Sequence, residues 1–179
     1  MDLRTAIKEQ YHGGLTMLSH CVEKCPDDLW DHTLSNETSD RGLCIRSFWR
    51  IAGHAAYFTH LYMGQGEDAF QPWPDRRNDA DQDGMWHKPW DIEFYDFPES
   101  TGVWSKQEML NYIAYIDSLV NSTVDGLDLE TADSGFGWYK ETEKLSHELM
   151  NLRHIQGHVG QLSELLMARG LDLRWIGRA

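Results

Sequence analysis

Between residues 2 and 25 the apolar positions Ile7, Tyr11, Leu15, Leu18 and Val22 recur every three or four places, the spacing that gathers side chains on one face of a helix. This predicts a first helix from Asp2 to Cys25. Pro26 stops it, because proline has no amide proton to continue the ladder, and Pro26-Asp27-Asp28 opens a short turn. A second stripe, Ile51, His54, Phe58 and Leu61, predicts a helix over Gly42 to Met63, with Gly64 as the C′ residue just past its end. Ser105-Lys106-Gln107-Glu108 has the spacing of a capping box and starts a third helix, which runs through Leu110, Ile113, Ile116, Leu119 and Val120 to Gly126. The fourth helix, Glu143 to Ala168, carries the stripe Ile155, Val159, Leu162 and Leu166 and ends at Gly170. Before it, Phe136, Trp138 and Tyr139 read as a short turn or strand. After it, Leu171 to Ala179 form a tail whose Trp175 and Ile176 are expected to pack back on the helices.

Four amphipathic helices imply an all-α fold, a four-helix bundle in one domain over residues 1–179. The short first and third connections suit antiparallel neighbours. The second, Gly64 to Trp104, is long enough to cross the bundle, which gives up-down-down-up order. This crossover holds four prolines and Trp73, Trp86, Trp90 and Trp104. Structureless connections of that length often cover functional sites. Trp86, Trp90 or Phe94 is therefore expected near the mouth of such a site; the rival role is to cover a homodimer interface.

The polar positions of the fourth helix are less ordinary than its core. At about 100° per residue, His154, His158 and Gln161 share one narrow stripe, with Asn151 and His147 just behind. A solvated face would more often carry Lys and Glu. Two histidines four residues apart can aim their ring nitrogens at one ion. On the second helix His54 lies within the apolar stripe, and His60, about 120° away, faces outward or toward a neighbouring helix. Bundles build metal sites from side chains on facing helices. His54, His154 and His158 are thus the candidate ligands of a divalent ion (Zn, Ni or Fe), with a coordination position left open. The competing account has each imidazole find its own carbonyl or water.

Composition narrows the classes. The chain has 179 residues, 41% of them hydrophobic, with eight Trp, which suits a packed domain. A net charge of −13 argues against nucleic acid and anionic membrane surfaces as partners. No apolar run of about 18 residues is present to span a membrane. The first ten residues lack the apolar core of a secretory signal. Cys21, Cys25 and Cys44 are an odd number without a zinc-like pair. They read as reduced, core-filling thiols of a cytoplasmic protein; Cys21 and Cys25, four apart, are a weaker metal pair.

Trp49-Arg50-Ile51-Ala52-Gly53-His54 and His154-x-x-x-His158-Val159-Gly160-Gln161-Leu162 resemble the matching motifs of the DinB-like superfamily, which includes the damage-inducible DinB proteins and YfiT-type metal-dependent hydrolases. Pro26-Asp27-Asp28-Leu29-Trp30 between the first two helices is similarly placed. The resemblance runs over most of the chain and is most specific in the second histidine motif. It implies an up-down-down-up bundle and a three-histidine metal site, with His54, His154 and His158 as ligands by position. Members include thiol transferases, thiol-dependent isomerases and amidohydrolase-like proteins. The Trp-rich crossover is longer than the family's usual connection.

Two functions follow as expectations. In the first, the protein is a metal-dependent hydrolase or thiol transferase acting on a small molecule, since a bound cation acidifies a water or thiol beside it. His147, Asp91 or Glu93 would accept the proton, and Gln161 and Asn151 would orient ligands or substrate. In the second, the protein is a non-catalytic, stress-related bundle in which the metal ties helices together.

Overall fold

The computed structural model describes residues 2–39, 42–77 and 101–177. The described chain is predominantly helical, with four long helices that share one core, and includes one small hairpin. In order the elements are α1 (Leu3–Lys24), α2 (Asp27–Trp30), β1 (Ser35–Ser39), β2 (Gly42–Arg46), α3 (Phe48–Met63), a 3-10 turn (Glu67–Ala69), α4 (Lys106–Gly126) and α5 (Lys144–Met167). No described helix is long and apolar enough to cross a membrane.

Both ends of α1 follow from local chemistry. The Asp2 carboxylate caps the first turn by accepting from Thr5 N at 3.3 Å, and the helix stops one residue short of Cys25, just ahead of Pro26. The expected capping box of α4 is present: Ser105 and Glu108 each accept from the other's backbone amide, at 3.2 and 2.7 Å.

The second helix is shorter than its sequence suggests. Gly42–Arg46 is a strand, paired antiparallel with Ser35–Ser39 in a register that runs from Ser35 opposite Arg46 to Ser39 opposite Gly42. The helix begins at Phe48, after an extended Ser47 whose carbonyl accepts the first helical bond from Ile51 N at 3.0 Å. Ser47 takes the N-cap position, although its buried hydroxyl makes no capping hydrogen bond. The residues before it satisfy their backbone groups across the hairpin instead of along a helix. Gly64 also departs from expectation. It caps α3 with φ −76°, in the extended region rather than the left-handed one of a C′ glycine. Its carbonyl is taken by the Lys144 ammonium group, which ties that turn to the start of α5.

Side-chain bonds fix which helix ends meet. Arg4 donates to the carbonyls of Val124 and Leu127 at 2.7 and 2.8 Å, and Lys106 donates to Cys25 O at 2.6 Å. The start of α1 therefore lies against the end of α4, and its end against the start of α4. Asn151 donates to Thr59 O at 3.1 Å, so the early turns of α5 lie beside the late turns of α3. Tyr11 meets Glu148 at 2.6 Å, while Asp28 just beyond α1 meets Arg169 just beyond α5 at 2.8 Å. His60 and Tyr112, 3.0 Å apart, link α3 to α4.

The two described ends of the long crossover are packed rather than loose. Trp104 is fully buried and its carbonyl accepts from Trp30 Nε1 at 2.6 Å; Trp73 stacks on Tyr112 with centroids 5.1 Å apart. Trp86, Trp90 and Phe94, expected at the mouth of the site, lie outside the described residues, as do Asp91 and Glu93. In the tail, Ile176 packs against the core but Trp175 is 70% exposed, contrary to expectation. Neighbouring side chains of an extended segment point to opposite sides, so seating one turns the other out.

Phe136 and Tyr139 belong to a turn, closed by Tyr139 N donating to Phe136 O at 2.8 Å. The turn is set by Gly135, whose φ of +82° favours glycine. A Cβ at Gly135 would also collide with Gln65 O, and one at Gly66 would stand 2.7 Å from Gly135 O. Gly135→Ala is expected to destabilise the protein by about 2 kcal/mol or more, from backbone strain and clash together. Gly157→Ala, on the exposed side of α5 with open space around it, should instead stabilise by about 0.5–1 kcal/mol. Equal urea midpoints for the two variants would mean the Gln65–Gly135 approach is not rigid.

Candidate metal centre

One helical turn of α3 and two of α5 bring His54, His154 and His158 together. The three side chains offer ring nitrogens that all lie within 4.8 Å of one another. His54 Nε2 and His158 Nε2 each stand 3.0 Å from His154 Nε2. His54 is 8% exposed, and the two α5 histidines are half-buried. Phe58, one turn after His54, forms a wall of the site, with its ring centroid 4.7 Å from His54 and 6.0 Å from His154.

The ring nitrogens are close enough to bond one another or to share one cation. Gln161 Oε1 lies 2.9 Å from His158 Nδ1 and can only accept, so that nitrogen carries the proton and Nε2 keeps its lone pair. His154 Nε2 faces two neighbouring Nε2 atoms, yet a single N–H can donate fully to only one of them. His154 Nδ1 is buried without a hydrogen bond. His54, His154 and His158 could each give an Nε2 lone pair to one divalent ion, with the proton of each ring on Nδ1. Ligand nitrogens about 2.1 Å from a tetrahedral ion stand about 3.4 Å apart, close to the spacing seen here. The three histidines can therefore hold a metal ion, and the residues present suit it.

Burial favours the neutral form of the two α5 imidazoles. It pushes His154 down to about 4, with the neighbouring His158 adding to the effect. His158 is also lowered, by burial first and by Arg46, against the opposing bond to Gln161. Away from the site, burial takes His60 to about 4 as well. An unfolded histidine takes its proton near pH 6.5. The native state therefore binds fewer protons than the unfolded chain between about pH 6.5 and 4. With chelator present to remove metal competition, stability should be complete above that window and fall as pH is lowered through it. Urea midpoints at pH 7, 5.5 and 4.5 measure this. Midpoints that do not move would mean the native imidazoles protonate as freely as unfolded ones.

The other expected site residues divide. Gln161 does orient a histidine. Asn151 does not; it is buried and donates to Tyr11 OH at 2.9 Å and to Thr59 O, so it lashes α5 to α1 and α3. His147 lies two turns before His154, about 10 Å along the helix axis. It is fully buried, stacked 4.7 Å from Phe136 with both ring nitrogens lacking a hydrogen bond, and takes no part in the cluster. His60 faces Tyr112 on α4, beside a cavity of about 250 Å³ that it shares with Met63, Phe70 and Tyr115. Cys21 and Cys25 are free, buried thiols. Burial pushes them up to about 11 and about 12, far from the thiolate a metal needs.

One residue of the site was not foreseen. Arg46, the last residue of β2, donates from Nη2 to Gln161 Oε1 at 3.3 Å. Its signal was hidden because the helical reading of Gly42 to Met63 placed it inside a helix. No family model matches the chain, and no curated protein or solved structure does so either.

Proposed function

We propose that this protein is a DinB-like, divalent-metal-dependent enzyme that acts as a hydrolase or thiol-dependent transferase on a small molecule. The observation that carries this reading is the convergence of three imidazole nitrogens on one point, two of them on half-buried side chains. Three protein donors leave a coordination position open, which suits catalysis better than a closed structural site. Zn, Ni or Fe suits an all-imidazole set. The helix pairings described above support an up-down-down-up bundle, the arrangement the family resemblance implies.

The bound ion would supply Lewis acidity, lowering the pKa of a water or thiol beside it. The chain's own residues do the rest. His54 and the α5 pair fix the position of the ion between two helices. Gln161 holds His158 in the tautomer that presents Nε2. Phe58 closes one side to water, and the half-exposed side of His154 and His158 is the direction from which a small molecule enters.

Cobalt-loaded protein titrated with small thiols, with a parallel screen of hydrolysable esters and amides, tests the proposal. Thiol binding should alter the cobalt spectrum, and any turnover should disappear in His154→Ala. A centre that holds cobalt against chelator, ignores every thiol and turns over nothing would replace this reading with the non-catalytic one.

A further inference from the structure

Three neutral imidazoles cancel none of the charge of a divalent ion. The described cluster contains histidine alone, with no Asp or Glu. A second positive group, besides the ion the site would hold, stands at its edge. Arg46 reaches Gln161 Oε1, the same atom that receives His158 Nδ1. It is half-buried, and among the described residues that amide oxygen is its side chain's only hydrogen-bond partner. A guanidinium has five N–H donors in a planar fork, and among the described residues one of them is engaged, by Gln161 Oε1. The backbone holds it in place from both sides: Arg46 O accepts from Leu34 N at 2.7 Å, and the next residue caps α3.

We propose that Arg46 and Gln161 form an oxyanion subsite at the rim of the three-histidine centre, so that the natural ligand is a small molecule bearing a carboxylate or phosphate group. This rests on the metal-centre reading above. The group would balance the excess positive charge of ion and arginine. The guanidinium fork would take two of its oxygens in parallel, and the Gln161 amide N–H₂ would supply a further donor.

The test uses the full chain loaded with cobalt and compares wild type, Arg46→Gln, Arg46→Lys and Gln161→Ala. Acetate, methylphosphonate and acetamide are titrated against the visible cobalt spectrum, and cobalt affinity is measured separately by chelator competition. Arg46→Gln should weaken acetate or methylphosphonate about tenfold or more, the worth of a charge-assisted bond. The more affected of the two identifies the oxyanion. Arg46→Lys should recover part of the loss, because its charge remains but its fork does not. Cobalt affinity should hold or rise in Arg46→Gln, since a repelling charge is gone, and acetamide should bind weakly to all. The proposal is overturned if Arg46→Gln binds both oxyanions as well as wild type, or if acetamide matches acetate. It is also overturned if cobalt and anion affinity fall together as they do in Gln161→Ala, which would make Arg46 a brace for that glutamine. Wild type that takes up no cobalt at all fails the metal-centre reading itself, and the subsite with it.

Discussion

Purified protein is expected to carry about one divalent ion per chain, and His54→Ala, His154→Ala and His158→Ala are each expected to lose it. The expected loss is more than about 100-fold in affinity, because even the outer partners of metal ligands are worth about 10–100-fold. Gln161→Ala, which frees the tautomer of His158 without removing a donor, should fall within that smaller range. His60→Ala supplies the contrast. It sits on the same helix as His54 and is about as buried, 6% against 8% exposed, but it faces Tyr112. Its metal content per folded chain should match wild type, even if its stability drops. Elemental analysis of the five variants beside wild type decides the matter. Equal metal in His154→Ala and wild type would remove the site, and loss in His60→Ala with retention in His54→Ala would reverse the register of α3.

The parts of this structure that were legible in the sequence are those in which a short-range rule and a long-range role agree. The capping box at Ser105 and the stripe along α1 are local signals, and both appear where they were expected. The histidine triad was legible because His154 and His158 sit on the polar edge of α5 and His54 interrupts an apolar stripe on α3. The hairpin was not. Gly42-Leu43-Cys44-Ile45-Arg46 lacks a run of β-branched residues, and Ser35–Ser39, which pairs with it, is a polar segment without an alternating apolar pattern to mark it as a strand. That single misreading also concealed Arg46. Asn151 shows a different limit. Its helical angle places it behind the histidines, but angle alone does not reveal that Tyr11 and Thr59 O lie within reach and claim the amide first.

The largest effect on stability is expected about two to three turns before the α5 histidines, at Lys144 and Glu148. Both side chains are fully buried, and Lys144 Nζ lies 3.0 Å from Glu148 Oε1. Lys144 also donates to Gly64 O and, at 3.3 Å, to Ser134 O, and its ammonium group stands 5.2 Å from the centroid of Phe136. Glu148 Oε2 accepts from Tyr11 OH at 2.6 Å. Burial lowers the pKa of Lys144, while the adjacent carboxylate acts to raise it. Each ion is thus kept in the core by the other. Lys144→Met would leave a buried carboxylate without its counter-charge, and Glu148→Leu a buried ammonium. Each is expected to cost about 3–5 kcal/mol, a large share of the 5–15 kcal/mol that typically holds a domain folded. Lys144→Met with Glu148→Leu removes both charges together and should cost far less than the sum. A residual penalty is expected because Tyr11, Gly64 and Ser134 lose polar partners in the double variant. Urea unfolding of all three variants gives the coupling directly. If the single costs are small and simply add, the pair does not depend on mutual charge. Metal content read on the double variant then separates the two parts of α5: the polar anchor at its base can be replaced by apolar packing, whereas no apolar residue can take the place of a ligand nitrogen.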